Sequence, residues 1–138
     1  MKQVAANDWH SEAAKFFDEF VFAFARFDGA VIAARYTAPY LAVHADGTTA
    51  LYSSRAEIGE YFQTVVTAYH RQGCRSCRYK HLHVVALGER SSLATVTWEL
   101  LTETAGVLAA WRESYTLLRT ADGLRVCASV DHAGPLSD

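Results

Sequence analysis

Residues 93–103, LATVTWELLTE, alternate strictly: Ala94, Val96, Trp98 and Leu100 take every second place, and Thr95, Thr97 and Glu99 fill those between. A period of two marks a strand with one face buried and one facing water. If Ala105-Gly106 is a two-residue turn, strict pairing sets Leu100 opposite Trp111, Trp98 opposite Glu113 and Val96 opposite Tyr115. A second turn at Asp122-Gly123 then sets Tyr115 opposite Val130 and Glu113 opposite His132. Three consecutive antiparallel strands thus converge on one carboxylate. Glu113 shares a face with apolar residues, where a carboxylate is costly unless hydrogen-bonded, paired or protonated.

Outward from that stretch, residues 78–87 (RYKHLHVVAL) also alternate, with Tyr79, His81 and His83 on one face and Leu82, Val84 and Ala86 on the other. Two histidines at i and i+2 could ligate a metal, but no third ligand is identifiable, and a solvated face explains them. Before this strand, residues 55–70 (RAEIGEYFQTVVTAYH) form a helix capped by Ser53 or Ser54. It buries Ile58, Tyr61, Phe62, Val65, Val66 and Tyr69, and Gly73 closes it. Residues 40–45 (YLAVHA) turn at Asp46-Gly47 into a short strand over 49–52, which places His44 at a strand end. Residues 11–27 (SEAAKFFDEFVFAFARF) read as a helix capped by Ser11, with Phe16, Phe17, Phe20, Phe24 and Phe27 in one aromatic stripe. Asp28-Gly29 interrupts it, and a short helix follows over 30–36, ended by Ala38-Pro39. The order is helix, helix, short hairpin, helix, four long strands. It predicts an α+β cone: three helices packed on a strongly bent antiparallel sheet with a cavity between the layers.

Composition sets limits on function. At 138 residues, 51% hydrophobic and 20% charged, the chain suits one soluble domain, with its core over about 11–132 and a flexible tail over 133–138. A formal net charge of -2 and no run of Lys or Arg argue against nucleic acid or an anionic membrane as partner. No signal peptide or spanning segment is visible, so the expected address is the cytoplasm. Three cysteines suit a reducing compartment. Cys74 and Cys77 form a C-x-x-C, but the pair follows a helix instead of starting one, and no second pair completes a zinc site. Neither a metal nor an organic cofactor is expected.

The element order, with GERSSLATVTWEL, the AWRESYTLLRTADG hairpin and a last strand ending SVDH, resembles the nuclear transport factor 2-like (SnoaL-like, cystatin-cone) superfamily over about Ser11 to His132. The resemblance implies the cone fold. It leaves activity open, because the superfamily includes isomerases, cyclases, hydrolases, dehydratases and non-catalytic binding or dimerisation domains. Matching FARFDGAVIAARYTAPYLAVHADG and WRESYTLLRTADG to the ketosteroid isomerase branch puts the catalytic base position on His44 and the protonated acid on Glu113. The oxyanion-hole tyrosine falls on Phe20, which has no hydroxyl.

The expected site is a cavity for a small apolar or aromatic molecule. Phe16, Phe20, Phe24, Tyr61, Phe62, Val65, Val96, Trp98, Trp111, Tyr115 and Val130 would supply contact area, while His44, Glu113 and a supporting His132 supply polar groups. An enzyme built this way would use His44 as base and Glu113 as acid for isomerase, cyclase or hydrolase-type chemistry. Two structural alternatives stand beside it. Glu113 could simply pair with His132, Arg112 or Arg125, and the whole domain could be an association module whose cavity its own rings fill. A third, thiol redox chemistry at Cys74 and Cys77, would need a reactive thiolate. The outer sheet face, with Thr95, Thr97, Glu99, Arg112, Ser114, Thr116, Arg125, Cys127, Ser129 and Asp131, is expected to place Glu99 opposite Arg112 and to form an isologous homodimer contact.

Overall fold

A computed structural model describes residues 6–136. The elements are α1 (Ala6–Phe24), α2 (Gly29–Ala33), β1 (Tyr36–Val43), β2 (Thr49–Tyr52), α3 (Arg55–Arg71), β3 (Ser76–Ala86), β4 (Ser91–Leu101), β5 (Val107–Thr120) and β6 (Gly123–Asp131). The fold is α+β, three helices against one six-stranded sheet in the order β2-β1-β6-β5-β4-β3. The sheet is mixed: β3 to β6 are antiparallel neighbours, but β1 lies parallel to β6, with Leu41 opposite Ala128 and Val43 opposite Val130. Of the tail expected over 133–138, residues 137–138 lie outside the described residues.

Helix boundaries follow from caps and from what the sheet requires. α1 starts at Ala6, so Ser11 lies inside it and does not cap it. Ser54 does cap α3, its hydroxyl accepting from the Glu57 N–H at 3.2 Å. α2 ends at Ala33, earlier than expected, because the backbone beyond it is already committed to the sheet: the Val126 N–H donates to the Arg35 carbonyl and Tyr36 pairs with Val126. Asp28 caps α2 by accepting from the Ala30 N–H at 2.9 Å. α2 meets α3 at very close range. A Cβ on Gly29 would fall 2.1 Å from the Gly59 carbonyl oxygen and 2.6 Å from the Gln63 nitrogen. Glycine there is required by packing.

The core lies where α1 crosses the sheet. Phe17 is fully buried, with its ring centroid 5.9 Å from Trp98, 5.3 Å from Tyr115 and 5.6 Å from Tyr79. These edge-on and tilted contacts suit the ring quadrupoles as well as the burial of area. At the far end of α1, Trp9 is fully buried beneath the Arg119 guanidinium, which also pairs with Glu12.

Three departures from ideal pairing decide which side chains face inward. In the β4–β5 hairpin the register is tighter than expected, with Trp98 opposite Trp111 and Val96 opposite Glu113. The difference is two residues, an even shift, so Trp111, Glu113 and Tyr115 stay on the inner face. In the β5–β6 hairpin the chain turns one residue early, at Ala121-Asp122, and Cys127 then forms a bulge between the Thr116–Ala128 and Leu117–Val126 pairs. That odd shift reverses the end of β6. Asp131 now lies opposite Glu113 and Ser129 opposite Tyr115, while Val130 pairs with Ser114 on the outer face. A third irregularity, between Lys80 and His83 in β3, puts His81 at a φ of 57°. His83 then pairs with Thr95 on the outer face, whereas Tyr79 pairs with Trp98 on the inner one. The expected one-faced row of Tyr79, His81 and His83 is therefore broken.

Candidate functional site

The inner faces enclose a cavity of about 100 Å³. The sheet contributes Trp98 from β4, Trp111, Glu113 and Tyr115 from β5, Ser129 and Asp131 from β6, and Tyr36 and Tyr40 from β1. Phe20 and Phe24 of α1 close one side, and Tyr61, Phe62, Val65 and Tyr69 of α3 close the other. His44, one residue past β1, lines the same space, its ring centroid 6.4 Å from that of Tyr61. The cavity is smaller than the few hundred cubic ångströms typical of ligand pockets, because the aromatic rings fill most of the cone. Tyr36, for example, packs at 4.6 Å from Tyr40 and 4.7 Å from Phe62, centroid to centroid.

Glu113 sits among hydrogen-bonded groups. The Trp98 indole N–H donates to the Tyr115 hydroxyl at 2.5 Å, on the same inner face as Glu113. The Trp111 N–H donates to Glu113 Oε1 at 2.9 Å. Surrounded by protein yet reached by the cavity, Glu113 is only half-buried by surface area. Burial and the adjacent Asp131 carboxylate nevertheless push its carboxyl up to about 8, against the pull of the Trp111 donor. Glu113 and Asp131 are paired across β5 and β6, and the neighbouring carboxylate disfavours ionisation of Glu113. The Tyr115 and Tyr36 hydroxyls, kept well above their ordinary value by burial, stay protonated. Tyr40 shares a 2.6 Å hydrogen bond with Ser129.

Ten of the expected residues line the cavity: His44, Glu113, Phe20, Phe24, Tyr61, Phe62, Val65, Trp98, Trp111 and Tyr115. Four do not. His132 lies on the outer face, its Nε2 2.7 Å from Ser114 Oγ, because the Cys127 bulge put Asp131 in the place expected for it. The same bulge turns Val130 outward, leaving it 41% exposed. Val96 is fully buried and away from the open space, and Phe16 lies under the Arg35 guanidinium at 4.6 Å. Neither expected arginine pair forms: Arg112 donates to Thr97 and to the His81 carbonyl, and Arg125 to the Leu124 carbonyl. Glu99 pairs with Arg78 and Lys80 of β3, with Ala110 and not Arg112 across from it on β5. Sequence reasoning placed Ser129 and Asp131 on the outer face and gave Tyr36, Tyr40 and Tyr69 no role in the site.

Cys74 and Cys77 are both buried, and burial pushes the Cys77 thiol up to about 12 and raises that of Cys74. That is the opposite of what thiol chemistry needs. Among the described residues no three of His, Cys, Asp and Glu come together as a metal cluster. No helix among them is long and apolar enough to cross a membrane.

Residues 11–134 match the family described as NTF2-like protein (DUF6841). No curated protein matches the chain. Among solved structures, it is similar to an NTF2-like protein with a cystatin-like fold from Novosphingobium aromaticivorans, at 15% identity and a TM-score of 0.69, covering 90% of this chain and 80% of the other. It is also similar to Aln2 from a Streptomyces species, at 17% identity and a TM-score of 0.72, covering 94% and 93%. A ketosteroid isomerase-like protein from Erwinia carotovora atroseptica aligns at 17% identity and a TM-score of 0.64, covering 91% and 96%. Likeness at this level of identity establishes the fold alone.

Proposed function

The chain belongs to the NTF2-like family, and on that footing we propose that it holds a small molecule in the cone and moves a proton to or from it with its own side chains. The observation that carries this is Glu113 at the cavity wall, paired across the strands with Asp131 and given a donor by the Trp111 N–H. A carboxyl that keeps its proton near neutral pH can donate it to a ligand oxygen or nitrogen. His44 lines the same cavity and supplies the acceptor. A cavity of about 100 Å³ limits the enclosed part of the ligand to on the order of five heavy atoms, since an engineered void of about 150 Å³ takes up benzene.

The test begins with protein-observed NMR against a library of small polar-headed molecules, following the Trp98 and Trp111 indole N–H signals. Each binder is then incubated in D₂O. Wild type is expected to put deuterium into the ligand, with Glu113→Gln and His44→Ala slower by about a hundredfold or more. Shifts without exchange would leave binding and remove catalysis; no shift from any library member would remove both.

A second reading rests on the outer sheet face, where Val85, Leu93 and Val130 are exposed by 43%, 37% and 41%. Val85 and Leu93 are paired across β3 and β4 and Val130 lies two strands away on β6; such exposed apolar residues among small polar ones suit a homodimer contact formed by the same face of two copies. The two readings are compatible, since they use opposite faces of the sheet.

A further inference from the structure

Among the described residues the ion pairs are Glu99 with Arg78 and Lys80, Glu19 with Arg35, and Glu12 with Arg119. Glu113 and Asp131 are in none of them, and unlike the unpaired acids of the surface they line a cavity. They face one another on adjacent strands in the wall of a partly open cavity, and no lysine or arginine among the described residues lines that space. Its other titratable groups are the hydroxyls of Tyr36 and Tyr40 on β1, Tyr61 and Tyr69 on α3 and Tyr115 on β5, the thiol of Cys77 on β3, and His44 past β1. One proton shared between two carboxyls still leaves a negative charge, and a charge in such a place ordinarily has a partner of opposite sign.

The rest of the wall says what kind of cation would fit. It is built from aromatic rings, whose faces attract positive charge and are the usual means of holding quaternary ammonium groups. Tyr69 and Trp111 stand with centroids 6.3 Å apart, and Trp111 is the residue that holds Glu113 through its N–H. A primary ammonium needs three acceptors. Apart from the carboxyl oxygens, the polar atoms of the wall at Tyr40, Ser129 and Tyr115 are already engaged with one another or with Trp98, and most of the wall is aromatic carbon. A tertiary or quaternary ammonium asks for no such set. Its methyl groups occupy the aromatic volume, and its charge balances the carboxyl pair.

We infer that the ligand of this cavity is a small organic cation with a methylated ammonium head, seated among the aromatic rings against Glu113 and Asp131. This rests on the cone being a small-molecule site and specifies the chemistry of what enters. The experiment compares tetramethylammonium chloride with tert-butanol, a neutral molecule with the same number of heavy atoms and similar branching, by titration followed at the Trp111 indole N–H signal. Tetramethylammonium is expected to bind at least about tenfold tighter than tert-butanol. In the double variant E113Q/D131N, shown to be folded by near-ultraviolet circular dichroism, the ratio of the two affinities is expected to fall severalfold, to the preference the aromatic rings alone provide. Equal affinity for cation and alcohol in the wild type, or a ratio unchanged by the double variant, overturns the cation assignment and leaves a neutral-ligand site standing. Failure of both probes to bind the wild type overturns the small-molecule site itself.

Discussion

Glu113 is a carboxyl whose proton is held by the fold, and this makes the stability of the protein depend on pH in a defined direction. Its value rises from 4.5 to about 8 in the folded chain, first through burial and then through Asp131. Between those values the folded state binds more protons than the unfolded one, so stability falls as pH rises. The contribution is complete below about pH 4.5 and lost as pH passes about 8. In melting curves over that range, wild type is expected to lose ground with rising pH relative to Glu113→Gln, which cannot ionise. Parallel curves would place the ionisation elsewhere. Cys74 and Cys77 give a second expectation at this scale. Buried, and raised in pKa, they should react with a thiol reagent about a hundredfold or more slowly than free cysteine until the protein is unfolded. Strand alternation alone was enough to place Glu113 inward. It could not place Asp131, because Leu124, Val126, Ala128 and Val130 alternate as if β6 were regular, and nothing in SVDH marks the extra residue at Cys127.

Among the elements, the helices and strands were legible wherever a hydrophobic period ran long enough. α3 and β2 fell where expected, and β4 and β5 kept their faces despite a changed register, since a shift of two preserves parity. Bulges at Cys127 and near His81 were not legible, because a one-residue insertion leaves composition and local propensity almost unaltered. The parallel seating of β1 on β6 is equally hidden, being a contact between segments far apart in the chain. The join of α2 to α3 offers a sharp test. Gly29→Ala would drive a methyl group into the backbone of Gly59 and Gln63 and disturb the 2.8 Å bond from the Gly29 N–H to the Gln63 side chain. A loss of about 2–3 kcal/mol is expected by urea denaturation. Ser54→Ala, which removes only the α3 cap, should cost about 1 kcal/mol by the same measurement.

For the molecule as a whole, the two faces of the sheet divide the work proposed for it. The inner face carries the carboxyl pair, and the outer face carries Val85, Leu93 and Val130. Size-exclusion chromatography with light scattering is expected to give a dimer at micromolar concentration, and Leu93→Arg with Val130→Arg to give a monomer. A wild-type monomer would remove the association role without touching the cavity. The family was legible from element order, and the activity was not, since one cone serves many chemistries.

The parallel seam between β1 and β6 also governs the order in which the molecule can be completed. The first strand comes early in the chain, yet the edge it docks against is the last strand among the described residues. Until that strand is in place the β1–β2 hairpin and the helices flanking it have no finished surface to close over, and the aromatic side chains of α1 and α3 wait in water. Closure of the cone therefore waits on β6, and a change that breaks the pairing of β6 with β1 would open the hollow at its β1 wall.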